Sequence, residues 1–239
     1  MEQKKNRIQS IDALRGLCVI LMVIHHFFYD LVAFCGAPGW LFSNPLFDLL
    51  HYIFAGIFIF LAGLSSRFSR SNVKRGLKCF AVALILTAVT SLPFLNMPIL
   101  FGVLHLLGTC MVFYGLTARL WDKLRRSLMP VLCIALLVGS ALLVEHVPIP
   151  DAAARILFPF GWMYSGFYSS DYFPLFPWLF VFLLGTWAGW YVKEGKLPQK
   201  LYTLSVPVLP AVGRKAFIVY VFHQPVLYAV TMVIAMVLK

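Results

Sequence analysis

Charged residues are scarce in this sequence. Only 12% of its 239 residues are Asp, Glu, Lys or Arg and 61% are hydrophobic, whereas soluble domains carry about 25% charged residues. This composition excludes an ordinary soluble enzyme and indicates an integral membrane protein. Because apolar segments take up almost the whole length, we expect one membrane domain over residues 1–239 and no separate soluble domain.

Cysteine motifs and internal repeats are also missing. The five cysteines fall in apolar segments and none forms a CxxC pair, so neither a disulfide framework nor a metal site is indicated. Matched halves with broken helices are not found, which argues against a carrier. The first apolar segment is too long for a signal-peptide core and lacks a small-residue cleavage site, so we expect it to be retained.

Seven apolar segments reach the roughly 20 residues that a spanning helix needs. Pro225 is expected to kink the last of them without ending it. The sequence therefore predicts an all-α polytopic membrane helix bundle with about seven transmembrane helices. The predicted helices cover residues 11–34, 47–66, 73–92, 98–118, 128–147, 173–193 and 214–238.

The basic residues lie on one side of these segments. All but two of the 20 Lys and Arg fall on one side, in the N-terminal tail, in alternate connections and in the segment ends beside them, and the exceptions are Arg155 and Lys239. The positive-inside rule then places the N-terminus in the cytoplasm and the C-terminus outside. The net charge of +11 is therefore mainly a determinant of topology, and no nucleic-acid partner is expected.

Arg15 and His26 share one face of the first segment, IDALRGLCVILMVIHHFFYDLVAF, because eleven steps of about 100° return to nearly the same direction. Asp12 and Asp30 fall near the same stripe, where Asp12 either stabilises the helix N-terminus or orients Arg15. Each ionisable group at the bilayer centre costs about 2.5–3.5 kcal/mol, so such groups face a protein interior or a wet cavity. The stripe predicts a catalytic or transport path. His25 points about 100° away from His26.

Two further histidines are expected at a similar depth to His26. His105 lies about 11 Å inside the fourth segment, and His223 lies about 13 Å inside the seventh. Gly102 and Gly108 flank His105 at three residues before and after it, and such small residues allow a neighbouring helix to approach closely. Hydrogen bonding between helices is the alternative role for both histidines.

The connection before the sixth segment is rich in aromatic residues, with the sequence PFGWMYSGFYSSDYFPLFPW. Such rings stack on sugars, and Asp171 is the one acid within this loop, at the expected mouth of a cavity. The alternative is the aromatic belt of a membrane interface.

Five sequence blocks, taken in order, resemble the catalytic-domain family of heparan-α-glucosaminide N-acetyltransferase in its bacterial form. They are RIQSIDALRGLCVILMVIHHFFYD, FIFLAGLSSRFSR, ILFGVLHLLG, FPLFPWLFVFLLG and GRKAFIVYVFHQPVL. The spacing from Arg15 to His26 also resembles the Arg–His motif of the transmembrane acyltransferase superfamily. The resemblance implies an enzyme of the bacterial inner (plasma) membrane that moves an acetyl or other acyl group from cytosolic acyl-CoA. The implied acceptor is a hydroxyl or amine of a glycan-like molecule at the outer face.

The resemblance also implies His26 as the catalytic histidine and Arg15 as a donor-site residue. We expect His26 to take a proton from the acceptor while Asp30 orients its ring; a covalent acetyl-His route is the alternative. Basic groups suit the phosphates of acetyl-CoA. The residues expected to bind this co-substrate are Arg15, Arg67, Arg70, Lys74, Arg75, Arg214 and Lys215.

The acceptor and the oxyanion are expected to contact other side chains. His105, His223 or Gln224 would stabilise the oxyanion, and Asp171 would lie near the acceptor. Pro225 frees a backbone acceptor beside His223 and Gln224.

Two other functions are compatible with the polar residues. Paired histidines on spanning helices can ligate haem iron in an electron carrier, but Arg15 and the basic groups have no role there. A small-solute transporter would use the same path without chemistry. Expected partners are membrane lipid, acyl-CoA and a small acceptor, and a homodimer is left open.

Overall fold

The computed structural model describes residues 8–93, 97–203 and 206–238. Across these residues the regular structure is helical, and the only β-type pairing is an isolated bridge between Phe101 and Tyr172. The predicted all-α class is confirmed. The helices are α1 (Gln9–Cys35), α2 (Pro45–Ser66), α3 (Asn72–Thr90), α4 (Val103–Lys123), α5 (Leu128–His146), α6 (Asp151–Leu157), α7 (Leu175–Lys193), α8 (Gln199–Thr203), α9 (Leu209–Arg214) and α10 (Ala216–Val237).

The seven long helices coincide with the seven predicted segments. The largest difference is at α4, which begins at Val103 rather than at residue 98. Two threonines of α3 explain the delay, because Thr87 donates to the carbonyl of Ile99 and Thr90 accepts from its N–H. These bonds hold the segment before α4 in a non-helical conformation.

Six helical segments in the described residues are long and apolar enough to cross a membrane. They are α1, α4, α5, α7, α10 and Gly39–Ser66, which contains α2. Helix α3 is not among them, and it carries Lys74, Arg75 and Lys78 in its first two turns. The polytopic membrane architecture is confirmed, while the count of seven spans and the orientation stay predictions.

The chain divides into two compact units, Met1–Phe58 with Lys196–Lys239, and Ile59–Gly195. The first unit contains α1, α8, α9, α10 and the start of α2. The second contains the end of α2 and α3 to α7. Each unit holds part of the predicted site.

In the first unit α1 packs against α9 and α10. Gly16 of α1 and Gly213 of α9 have no room for a Cβ atom, because each lies against backbone of the other helix. This close approach of small residues is typical of helix packing in membranes. It places Arg214 and Lys215, which follow Gly213, beside the first turns of α1.

In the second unit two helix pairs meet at glycines. Gly76 of α3 lies against Gly108 of α4, and a Cβ atom on Gly76 would come within 2.6 Å of the Gly108 carbonyl oxygen. Gly63 of α2 and Gly185 of α7 pack against each other's helices in the same way. The close approach predicted from Gly108 is confirmed.

Candidate active site

The first unit brings His26 of α1 into contact with His223 of α10. Their ring centroids are 4.9 Å apart and the rings are tilted by 56°. Nδ1 of His223 lies 2.6 Å from the carbonyl oxygen of Tyr220. Because a carbonyl oxygen can only accept, Nδ1 carries the proton in this contact, and Nε2 of the neutral ring is an acceptor.

Asp30 and Gln224 form a second contact between the same two helices. Asp30 is fully buried, and its Oδ1 accepts a hydrogen bond of 2.9 Å from Nε2 of Gln224. The expected hydrogen bond from the His26 ring to Asp30 is not seen in the described residues, and the carboxyl group instead accepts from Gln224 of α10. This contact corrects the prediction that Asp30 orients His26 directly.

Two oxygens of the Asp30–Gln224 pair have no hydrogen-bond partner among the described residues. They are Oδ2 of Asp30 and Oε1 of Gln224, and both are buried. Buried polar atoms in folded proteins nearly always have a partner, so each exception calls for an explanation.

His25 points in a different direction from His26, as the helical geometry predicts, although the two rings meet edge to face. Its ring stacks on His51 of α2 with centroids 4.4 Å apart and 30° between the planes, and it also contacts Phe42. Neighbouring histidines of α1 thus contact different helices, α2 for His25 and α10 for His26.

Arg15 lies about 16 Å from His26 along α1. Its Nη1 donates to Oδ1 of Asp12 at 2.7 Å, and Asp12 is only 4% exposed. Asp12 therefore orients Arg15, which was one of its two expected roles. Arg214 and Lys215 of the same unit are exposed.

His105 of the second unit uses both ring nitrogens within that unit. Nδ1 accepts from the N–H of Gly102, and Nε2 lies 3.2 Å from the Thr87 hydroxyl. Since Nδ1 accepts, the ring proton is on Nε2 and is donated to Thr87, which in turn donates to the Ile99 carbonyl. These contacts give His105 the role of a hydrogen-bond partner between α3 and α4.

Asp171 also bonds to the start of α4. Its Oδ2 accepts from the N–H of Val103 at 3.1 Å, which is the contact of an N-terminal capping carboxylate. Nearby, the Tyr172 hydroxyl donates to the Phe158 carbonyl, and burial raises the pKa of Tyr172 to about 12. The aromatic loop is therefore joined to the start of α4 through Asp171.

The family of the protein follows from comparison with known sequences. The family model described as heparan-alpha-glucosaminide N-acetyltransferase, catalytic, matches residues 7–225. The chain belongs to this family. None of the curated proteins compared matches it.

Membership of the N-acetyltransferase family has a direct consequence for the site. It makes the chain a membrane acetyltransferase in general terms, and enzymes of the family use acetyl-CoA as the donor. The matched region contains α1 and the start of α10, and therefore both contacts described above, His26 with His223 and Asp30 with Gln224.

Arg67 is one of the basic residues expected to bind the donor, but its guanidinium is hydrogen-bonded to residues of the second unit. Nε donates to the Thr186 carbonyl at 2.9 Å, and Nη1 donates to Asp122 at 2.6 Å. Its guanidinium lies over the rings of Tyr114 and Trp190. Arg67 therefore joins α2, α4 and α7, and its contacts are those of a structural residue.

Other basic residues of the second unit are exposed. They are Arg70, Lys74 and Arg75, at the connection between α2 and α3 and in the first turn of α3. Their exposure leaves them accessible to a phosphate.

A contact that the sequence did not predict lies near Arg67. Arg126 forms a salt bridge of 2.5 Å with Glu194 and lies over the Trp190 ring, 3.9 Å from its centroid. The hydrogen bond that Arg126 donates to the Glu194 carboxylate raises the pKa of Arg126. No spacing in the sequence indicates this contact, because it joins the α4–α5 connection to the end of α7.

Proposed function

We propose that the protein transfers an acetyl group from cytosolic acetyl-CoA to a hydroxyl or amine of a glycan-like acceptor at the outer face of the bacterial inner membrane. The observation that supports this best is the group formed by His26, His223, Asp30 and Gln224 on two apolar helices of a family of acetyltransferases. Ionisable groups at this depth in a spanning helix are by default functional.

His26 is the general base of the proposal. In the described residues its ring contacts His25 and His223 but takes part in no hydrogen bond, so a ring nitrogen can receive a proton. The acceptor O–H or N–H gives its proton to His26 while its oxygen or nitrogen bonds to the thioester carbon. The C–S bond then breaks, and the thiolate takes the proton from His26 and leaves as the free thiol.

The donor site of the proposal lies at the other end of α1. Arg15, oriented by Asp12, and the exposed Arg214 and Lys215 lie where α1 and α9 meet. Three cations in one unit suit the phosphates of CoA. With its phosphates there, the donor would extend along α1 and bring its thioester toward His26.

A haem site does not fit the His26–His223 pair. Two axial Fe–N bonds of about 2 Å, together with the ring radii, hold ligating imidazoles about 6 Å apart between centroids. The observed separation is 4.9 Å with the rings tilted. At this separation the two imidazole rings contact each other directly and are too close to ligate an iron atom between them.

The test is an assay of the purified protein in nanodiscs with acetyl-CoA and a panel of amino sugars and neutral sugars. We expect release of free thiol that depends on the acceptor, together with an acetyl mass increase of the acceptor. Uptake of the sugar into proteoliposomes without release of thiol would instead identify a transporter. Thiol released without acceptor, with an acetylated His26 peptide, would identify the covalent route.

A further inference from the structure

The Asp30–Gln224 pair contains two buried oxygens that the fold does not use. Nε2 of Gln224 donates to Oδ1 of Asp30. The other two oxygens, Oδ2 of Asp30 and Oε1 of Gln224, are buried without a partner in the described residues. The Asp30 side chain is also completely buried, so water at the protein surface does not satisfy its carboxyl group.

Both atoms have the same chemical requirement. An amide oxygen and a carboxylate oxygen accept hydrogen bonds and donate none. A buried acceptor without a donor costs more than a hydrogen bond contributes, and more still in a spanning helix. The pair therefore requires a molecule that supplies two polar hydrogens.

The position of the pair indicates which molecule this is. Asp30 lies one helical turn after His26 on α1, and Gln224 follows His223 on α10. The two oxygens are thus next to the histidine contact, where the acceptor must lose its proton. Arg15 and the other donor-site cations are at the opposite end of α1.

We propose that Asp30 and Gln224 form the subsite that binds the acyl acceptor, through two polar hydrogens on neighbouring groups such as those of a vicinal diol or an amino alcohol. One hydrogen is donated to Oδ2 of Asp30 and the other to Oε1 of Gln224. The nucleophile is thereby held beside His26. This inference rests on the proposed function and adds how the acceptor is recognised.

One variant separates this subsite from a purely structural pair. In Asp30→Asn the introduced carbonyl still accepts from Nε2 of Gln224, but an amide N–H replaces the Oδ2 acceptor. The fold is kept, and the acceptor KM should rise about 10- to 100-fold, the effect of losing a hydrogen bond to a buried charged group. The KM for acetyl-CoA should not change, because the donor site lies about 16 Å or more along α1.

The double variant Asp30→Asn with Gln224→Glu is the rescue. It exchanges the two groups between α1 and α10, so that the pair keeps one hydrogen bond and again presents two unused acceptor oxygens. We expect it to recover much of the acceptor affinity that Asp30→Asn loses. Thr231→Val is the matched control, since Thr231 is a buried polar residue of α10 that bonds only within its own helix through its hydroxyl.

Protonation of the Asp30 carboxyl group would overturn the inference. If the carboxyl group were protonated, its O–H could donate to Oε1 of Gln224 and close the pair, and the asparagine variant would mimic that closed pair. Infrared difference spectra between the wild type and Asp30→Asn, in membranes without acceptor, test this directly. We expect carboxylate bands for Asp30, and the carbonyl band of a protonated acid would contradict the subsite.

The kinetic assay keeps failures of the two proposals apart. Glucosamine and methyl α-D-glucopyranoside serve as probes that carry an amino alcohol and a vicinal diol. No thiol release by the wild type would refute the proposed function. Thiol release by the wild type, with the same acceptor KM in Asp30→Asn, would refute the subsite alone.

Discussion

His26 in the first unit and His105 in the second show two uses of the same side chain. Both are on apolar helices and both contact aromatic rings. The ring nitrogens of His105 are bonded to Gly102 and Thr87, whereas the His26 ring takes part in no hydrogen bond within the described residues. A histidine whose nitrogens are occupied by the fold is structural, and one whose nitrogens are not occupied is available to a substrate.

The same contrast extends to the acids of the two units. Asp171 caps α4 through the N–H of Val103, while Asp30 keeps a buried oxygen unused. We therefore assign the proposed chemistry to the first unit. In the second unit, the predicted site residues His105, Asp171 and Arg67 contribute to structure.

The largest effect is expected at His26. His26→Ala should lower acetyl transfer by about 10²–10⁴-fold, which is the usual contribution of a positioned general base. Binding of acetyl-CoA should persist, because the proposed phosphate site is at the other end of α1. The measurement is kcat in the thiol-release assay together with donor affinity.

His25→Ala is the control for this variant, because His25 lies at the same depth of α1 but contacts His51 and Phe42. A folding defect in this helix should affect both variants alike. Loss of activity in His25→Ala, with activity retained in His26→Ala, would show that the wrong face of α1 was assigned.

The next largest effect is a change in stability at His105. His105→Ala leaves the Gly102 N–H and the Thr87 hydroxyl without their partner and opens a cavity, at a cost of about 2–4 kcal/mol in the free energy of unfolding. Thermal denaturation in detergent measures this loss. A variant as stable as the wild type would show that the hydrogen bonds of His105 contribute little.

A smaller effect is expected when Arg15 and Arg67 are compared as donor-site residues. Arg15→Ala should raise the KM for acetyl-CoA about 10- to 100-fold through loss of a charged contact with phosphate. Arg67→Ala should lower thermal stability and leave the donor KM unchanged, since its contacts are with Thr186 and Asp122. The reverse result would move the donor site to the second unit.

The smallest effect is expected at the exposed cations near the start of α3. Neutralising Arg70, Lys74 or Arg75 should raise the donor KM by about two- to fivefold, because exposed charge pairs are weak. The increase should shrink at high salt. Donor kinetics over a range of ionic strength are the measurement, and unchanged kinetics in all three variants would leave these residues with a role in topology only.

The helices could be predicted from the sequence because a long apolar segment has few other stable structures in a membrane. The late start of α4 could not, since it depends on the hydroxyls of Thr87 and Thr90. The short helices α6, α8 and α9 are below the length at which an apolar pattern is informative.

The sequence indicated single residues of the candidate site, but it did not indicate which of them contact each other. The sequence pointed to His26, His223, Asp30 and Gln224 separately. It assigned Asp30 to His26 because four residues is the spacing of helix neighbours, whereas the carboxyl group bonds Gln224, 194 residues away. Such long-range pairing depends on how α1 and α10 pack, and no spacing within one helix reports it.

The most direct test of the contrast between the two histidines measures His26→Ala and His105→Ala side by side, as kcat per folded molecule and as melting temperature. We predict that His26→Ala loses activity and keeps the wild-type melting temperature. We predict that His105→Ala melts at a lower temperature and keeps the wild-type kcat per folded molecule. A normal kcat in His26→Ala, or the loss of kcat in a fully folded His105→Ala, would contradict the assignment of the chemistry to the first unit.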